Sequence, residues 1–453
     1  MLLFVGIARI YGAEPFGQFT TAHVYLTLFL YLADFGIDVL IATEIARDAA
    51  RAQSLVKKFF PMKLAAGLAA MLLMGVVALV SGVSSTTLSL MLILSGSLVV
   101  TTLGTFYFAV FRGFEQLHHE AIVISQIQGV LLVAFVVLAA FRVSIEWIAL
   151  AFVASRALGL LLVLGRIHRK LDVRMGGISL EGWSGTLLQG IPWGVHILFG
   201  ALYFQLDTLL LAAWAGDHAV GIYQSAMKLA VVVLAIPDVL VSSLLPVFAR
   251  LYVESREKWE ELGRIASRTM MYLSLPFALI FIVYPHETLS VVYGSEVFQE
   301  AVPVLRVLGA VLVVRFSIET FALALTTTRN QLTRMWIAIG VTILNFAMNA
   351  YAIPRFGFEG AAYVSLITNV SAGLCYILTA RRVGFRLRFL LGVRSGGVLL
   401  SVALLGLGLW SFVGNSLVLG SAIALIGCPL LCYGFGYTGV ERKMVFALPA
   451  RLV

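Results

Sequence analysis

The sequence predicts an all-α, polytopic membrane protein of about 13–14 transmembrane helices, and three observations predict it. Thirteen apolar segments are each long enough to cross a hydrocarbon core, which takes about 20 helical residues. Hydrophobic residues make up 60% of the 453-residue chain and charged residues 12%, with a mean hydropathy of +0.99. A soluble chain carries about 25% charged residues. Finally, Lys and Arg crowd into every second loop, the pattern that keeps those loops on the cytoplasmic side.

The elements follow in order. Residues 1–10 are apolar but extend only about 15 Å as a helix, half the hydrocarbon thickness. With no basic start and no small-residue cleavage site, they read as the second half of a first spanning helix, either truncated or with its start upstream. The spans expected next cover 17–41, 59–81, 87–111, 120–141, 145–165, 186–214, 218–249, 268–285, 300–326, 335–353, 358–380, 396–413 and 416–437. Placing the 44–63 loop inside puts Arg47, Arg51, Lys57, Lys58 and Lys63 in the cytoplasm. Alternation then sends the basic groups near 112, 166–174, 250–268, 329–334, 381–394 and 442–451 to the same side. Of 32 Lys and Arg, 25 fall inside, three (Arg9, Arg142, Arg355) outside and four within spans, so the C-terminus is expected in the cytoplasm. The outer loops are short, the longest covering about 284–300. The inner loops at 166–185 and 250–267 have room for amphipathic surface helices, and 254–268 mixes charge and apolar residues around Trp259.

Several function classes are excluded. The net charge of +9 is scattered over many short loops, which suits topology signals and not nucleic-acid binding. Cys375, Cys428 and Cys432 lie inside apolar segments and read as small core residues, not disulfides. No Gly-x-x-x-x-Gly-Lys-Ser/Thr loop occurs, so the chain carries no ATPase of its own. His118-His119-Glu120 lacks further metal-ligand spacing, and no carboxylate pair sits on a loop long enough for glycosyl transfer. These absences point to a transporter, not an enzyme, with no cofactor beyond H⁺ or Na⁺ as a coupling ion. A non-transporting assembly scaffold stays open.

At an offset of 204 residues the chain echoes itself: Gly12 falls on Gly216, Gly17 on Gly221, Phe19 on Tyr223 and Asp34 on Asp238. The copies lie six helices apart and share an orientation, which predicts two parallel, pseudo-symmetric lobes. A charge at the bilayer centre costs about 2.5–3.5 kcal/mol, so charges within spans are expected to face a cavity or a partner. These are Asp34, Asp38, Arg156, Asp207, Lys228, Asp238, Arg306, Arg315 and Glu319. His23, Thr27, Tyr31, Asp34 and Asp38 share one helix face; Gln189, His196, Gly200, Tyr203 and Asp207 share another. The functional reading is two walls of a water-filled cavity whose carboxylates Asp34, Asp38 and Asp207 take up a coupling ion. Interhelical hydrogen bonding is the plainer alternative. Arg315 and Glu319, one turn apart, can neutralise each other, and Arg306 can snorkel. Arg156 and Lys228 lack an in-helix acid and are the first candidates for an anionic substrate, with a cross-helix ion pair as the alternative.

The segment Ala8-Arg9-Ile10-Tyr11-Gly12-Ala13-Glu14-Pro15-Phe16-Gly17-Gln18-Phe19 resembles the opening of the lipid-linked oligosaccharide flippases. These are the O-antigen and exopolysaccharide translocases of the multidrug/oligosaccharidyl-lipid/polysaccharide exporter superfamily. Asp34-Phe35-Gly36-Ile37 with Glu44-Ile45-Ala46-Arg47, Asp207-Thr208-Leu209-Leu210 leading to Val220-Gly221-Ile222-Tyr223, and Phe356-Gly357-Phe358-Glu359-Gly360 are similar to later stretches, in matching order over about residues 8–380. The resemblance implies two six-helix lobes (1–175 and 176–390), two extra helices with a cytoplasmic tail (391–453), and alternating access. It implies a prokaryotic inner-membrane protein that flips a polyprenyl-pyrophosphate-linked glycan outward for cell-surface polysaccharide, with polymerase machinery and membrane lipid as partners. Arg156 and Lys228 are then expected on the diphosphate, with Arg315, His196 and Tyr203 also lining the substrate site. A cation-coupled drug antiporter of the same superfamily is the rival. A major-facilitator carrier would show a Gly-rich, Asp-Arg-Gly-Arg-Arg-like loop where 44–58 stands, and it does not.

Overall fold

The computed structural model describes residues 1–171, 183–294, 296–328, 330–385, 393–413, 416–437 and 441. Among the described residues all regular structure is helical. The chain divides into two compact units, Met1–Gly221 and Ile222–Val453.

The first unit holds α1 (Leu2–Tyr11), α2 (Ala13–Asp34), α3 (Ile37–Arg47), α4 (Ala52–Val80), α5 (Ser85–Gly113), α6 (Leu117–Ala140), α7 (Ile145–Lys170) and α8 (Trp183–Trp214), with the first turn of α9 (Gly216–Glu254). Helix α5 is its centre, packed by α2, α3, α4 and α7. Its sequence explains this. Ser95, Ser97 and Thr102 are small, a Cβ on Gly67 of α4 would lie 3.4 Å from the α5 backbone at Val99, and the Ser95 and Ser97 hydroxyls donate to carbonyls one turn back at 2.7 Å. Below them Phe106, Tyr107 and Phe111 join Ile41, Ile45 and Val163 in a buried cluster.

The expected 17–41 span is two helices, α2 and α3, bent by 44°. Phe35 (φ 41°) and Gly36 (φ 83°) are both left-handed, which ends α2. Asp34 bridges the break, accepting the backbone N–H of Gly36 at 3.3 Å and of Asp38 at 3.2 Å.

The repeat read from the sequence has a structural counterpart inside this unit. Gly12 (φ 88°) and Gly216 (φ 83°) both take a positive φ immediately before α2 and α9. The two helix starts then cross at equivalent positions: a Cβ on Gly17 would collide with the Asp217 carbonyl, and one on Gly221 with the Ala13 carbonyl. Since 13 and 217, like 17 and 221, are 204 residues apart, the crossing is a local pseudo-two-fold. The Asp217 carboxylate accepts Ser84 Oγ at 2.6 Å and Thr87 Oγ1 at 3.0 Å, holding the crossing to α5. The echo stops at Asp238, which is exposed where Asp34 is paired.

The second unit holds the rest of α9, then α10 (Arg256–Val283), α11 (Pro285–Tyr293), α12 (Val302–Thr327), α13 (Gln331–Arg382), α14 (Val393–Gly408) and α15 (Leu417–Leu431). Helix α10 is central, packed by α12, α14 and α15. The 254–268 stretch is no separate surface helix. It forms the first turns of α10, and Trp259 is fully buried against Phe248, Tyr252 and Phe385, with the Arg256 guanidinium 4.4 Å over its ring. The charges leave by one helix face while the indole enters the core. The loop expected outside over 284–300 holds α11 and a 3₁₀ turn, and Tyr293 anchors it by donating to the Ser225 carbonyl at 2.8 Å.

Among the described residues ten helices are long and apolar enough to span a membrane, and the bent α2–α3 pair makes an eleventh. Helix α13, with 52 residues, covers two expected spans. It is about 78 Å long and breaks at Gly357 (φ 55°, ψ −137°), a conformation reserved for glycine. The segments Leu2–Tyr11 and Leu198–Trp214 are shorter apolar helices. Cys375 is exposed, Cys428 and Cys432 are buried, and all three are free thiols.

Candidate functional site

Three helices of the first unit bring a cation and a set of rings together. Arg156 on α7 is half-buried, its guanidinium 4.6 Å over the ring of Phe152, one turn earlier on the same helix. His23 on α2 meets the same Phe152 edge-on at 5.7 Å, and Phe4 on α1 meets His23 at 5.1 Å. Thr27, one turn below, donates to the His23 carbonyl at 2.8 Å, so its hydroxyl is satisfied without leaving α2. No carboxylate lies within ion-pair distance of Arg156 among the described residues. A guanidinium inside an apolar span is thus held by a π face and keeps its N–H fork for another acceptor.

The acids expected beside it are differently employed. Lys63, placed by its sequence position in an inner loop, sits in α4 with its side chain fully buried, and it ion-pairs with Asp34 and, at 2.7 Å, with Asp38. Asp34 also caps α3, so the triad closes the α2–α3 break from both sides. Two carboxylates against one ammonium leave the cluster with a net charge of one negative. Burial strengthens each attraction and raises the cost of losing a member. Asp207, on α8, is buried in the same unit. Tyr203 is half-buried one turn before it, its ring 5.8 Å from that of Phe204. His196 and Gln189 have side chains outside the described residues.

In the second unit Lys228 is half-buried on α9. Arg315 and Glu319 form an ion pair of 3.8 Å along α12, as their spacing predicts. Arg306 is exposed, consistent with snorkelling. Asn345 and Asn349 bond to one another at 2.9 Å inside α13, which makes them structural polar groups.

Of the predicted residues, the structure gathers Asp34 and Asp38 around Lys63, and Arg156 with His23 around Phe152. Sequence reasoning missed Lys63, because a lysine close behind a basic loop reads as part of it. The available signal was position: Lys63 follows the apolar stretch Phe59-Phe60-Pro61-Met62 and is itself followed by apolar residues.

Comparison with known proteins gives a family and a fold. The family model described as "Polysaccharide biosynthesis protein" matches residues 1–252, and that described as "MatE" matches 192–351. Among solved structures, the lipid II flippase MurJ in an inward closed conformation is similar with a TM-score of 0.78 at 13% identity, covering 96% of this chain and 95% of that one. An inward-facing multidrug resistance transporter of the MATE family has a TM-score of 0.72 at 16% identity, covering 84% and 93%. A transporter of the same superfamily from Pyrococcus furiosus, described as having a binding pocket of reverse polarity, has a TM-score of 0.59 at 14% identity, covering 84% and 90%. No curated protein matches the sequence.

Proposed function

Because the chain belongs to the polysaccharide biosynthesis protein family, we propose that it flips a polyprenyl-pyrophosphate-linked oligosaccharide from the cytoplasmic to the outer leaflet of a prokaryotic inner membrane by alternating access. The observation that carries the reading is Arg156. It is a permanent cation within a membrane span, seated on Phe152 and free of any carboxylate among the described residues. A glycan with its diphosphate loses hydration on entering hydrocarbon, and an unspent guanidinium replaces part of it bidentately. His23, beside the same ring, is placed to meet the sugar or phosphate oxygens next to it. Lys228 is the matching cation of the second unit, and Tyr203 and His196 on α8 the polar groups of the first. Arg315 contributes less, since Glu319 already balances it. The carboxylates Asp34 and Asp38 are tied to Lys63, and Asp207, buried on α8, is the third acid assigned to a coupling H⁺ or Na⁺.

Purified protein in liposomes should transfer a fluorescent polyprenyl-pyrophosphate glycan between leaflets. Arg156→Ala should slow transfer with insertion intact, and an unchanged rate would remove Arg156 from the mechanism. The match of 192–351 to the MatE model favours a second reading, a cation-coupled drug antiporter. That reading predicts gradient-driven uptake of a lipophilic cation drug by the same liposomes and no glycan transfer.

A further inference from the structure

Gly357 divides α13 into halves of 331–356 and 358–382. Each half is about 37–39 Å long, enough to cross a core of about 30 Å, so the break sits at a membrane surface. The halves meet closely there: a Cβ on Gly360 would lie 2.7 Å from the Ala352 carbonyl oxygen. In the angle between them is a groove of about 590 Å³, lined by Tyr351, Phe356, Tyr363 and Ile367 among others, all of them exposed. At about 30 Å³ for each water-sized unit it has room for about twenty, the bulk of one acyl chain.

Glu359 is the one charged residue of the lining. Arg355, on the other side of the Gly357 break, reaches the groove through Tyr351, its guanidinium 3.8 Å over that lining ring and donating to the Tyr351 carbonyl at 3.5 Å. Both charges are exposed. Among the described residues neither has an ion-pair partner, and they do not pair with each other. An apolar trough at a membrane boundary thus carries one negative group in its lining and one positive group on a lining ring, neither in an ion pair among the described residues.

We propose that this groove is a phospholipid site, which seats one acyl chain and takes a head group bearing both a phosphate and a primary ammonium. The phosphate goes to Arg355 and the ammonium to Glu359. Charge complementarity selects this occupant. An anionic lipid would satisfy Arg355 and be repelled by Glu359. A choline head group has no N–H to donate to the carboxylate, and a polyprenyl diphosphate has no cation at all. The site is independent of the substrate reading and stands whether the cargo is a glycan lipid or a drug.

The test is lipid retention by the full-length protein, purified from mixed vesicles of phosphatidylethanolamine, phosphatidylcholine and phosphatidylglycerol and read by native mass spectrometry. The wild type should retain phosphatidylethanolamine about tenfold over the other two. Glu359→Gln should abolish that preference, and Ala347→Trp, which fills the groove, should cut retention of all three. A Phe356→Trp reporter should be quenched by brominated acyl chains on phosphatidylethanolamine, and the quenching should fall when Glu359→Gln is added. Equal retention of the three lipids by the wild type, or a preference untouched by Glu359→Gln, overturns the head-group assignment. Quenching no stronger with phosphatidylethanolamine than with the other lipids marks Arg355 and Glu359 as ordinary boundary charges and overturns the site.

Discussion

Arg156 shows how one residue can be read from its setting. A guanidinium in an apolar span must reach water, meet an acid or lie on a π face, because lipid exposure is costly. The structure takes the third course through Phe152. That partner was legible, since it lies four residues earlier and helical spacing puts both on one face. The contact between His23 and Phe152 was not, because two helices distant in sequence create it. The planar fork, and not charge alone, is what a diphosphate needs, so Arg156→Lys should restore only part of the rate lost in Arg156→Ala. The Ala variant should lose about 10–100-fold, the worth of a charged hydrogen bond of about 1.5–3 kcal/mol. Phe152→Leu keeps the charge and removes its seat, worth about 0.5–2 kcal/mol, for a loss of about 2–30-fold. Initial transfer rates in liposomes check both; a Phe152→Leu variant slower than Arg156→Ala would mean that the ring itself is the contact.

At the scale of elements, the α2–α3 break and the α2–α9 crossing carry the first unit. The break is a helix end inside a span, where free N–H groups need acceptors, and Asp34 supplies them while Lys63 ion-pairs with both Asp34 and Asp38. Lys63→Met should therefore strand one buried and one half-buried carboxylate and cost about 3–5 kcal/mol. Adding Asp34→Asn and Asp38→Asn should recover most of it, since an amide oxygen still caps α3 and nothing charged remains. Apparent melting temperatures in detergent decide this, and a triple variant no better than Lys63→Met would show that the ammonium has another role. The crossing makes an equally sharp demand, because Gly17 and Gly221 each leave no room for a side chain. Gly17→Leu should cost about 1–3 kcal/mol or more through forced separation of the helices, and the same assay reads it. The crossing was half legible: the offset of 204 residues announced that these glycines are equivalent, but not that each sits against the other's helix. The α2–α3 break was not legible, because Asp34, Phe35 and Gly36 sit in a continuous apolar pattern and a single glycine does not fix a left-handed pair. Likewise Trp259, within a charged stretch, gave a surface reading that its burial overturns.

For the whole molecule, the all-α membrane-spanning class was legible because hydropathy reports directly on the cost of burying backbone and charge in lipid. The number of spans was less so: ten and one bent pair among the described residues stand against the thirteen expected. Orientation rests on a different quantity, the distribution of Lys and Arg. Burial of Lys63 removes one residue from the inner count of 25, which leaves the imbalance against three outer residues intact. Lys63 is also a poor topology signal, since an ammonium neutralised by Asp34 and Asp38 does not hold a loop at a membrane face, whereas the expectation of a cytoplasmic side rests on exposed residues such as Arg47 and Arg381. Single cysteines test the assignment in intact cells with a membrane-impermeant maleimide. Exposed Cys375 must first become serine, and Cys428 and Cys432 are buried enough to stay silent. Arg142→Cys and Arg355→Cys should then label from outside, and Arg47→Cys and Arg381→Cys only after the membrane is opened. The prediction bears on mechanism as well as topology. A diphosphate-linked glycan is assembled where its sugar donors are, so a cation meant to receive it must face that side in one state. Labelling of Arg47→Cys from outside would invert the chain, and the direction of transport proposed here would have to invert with it.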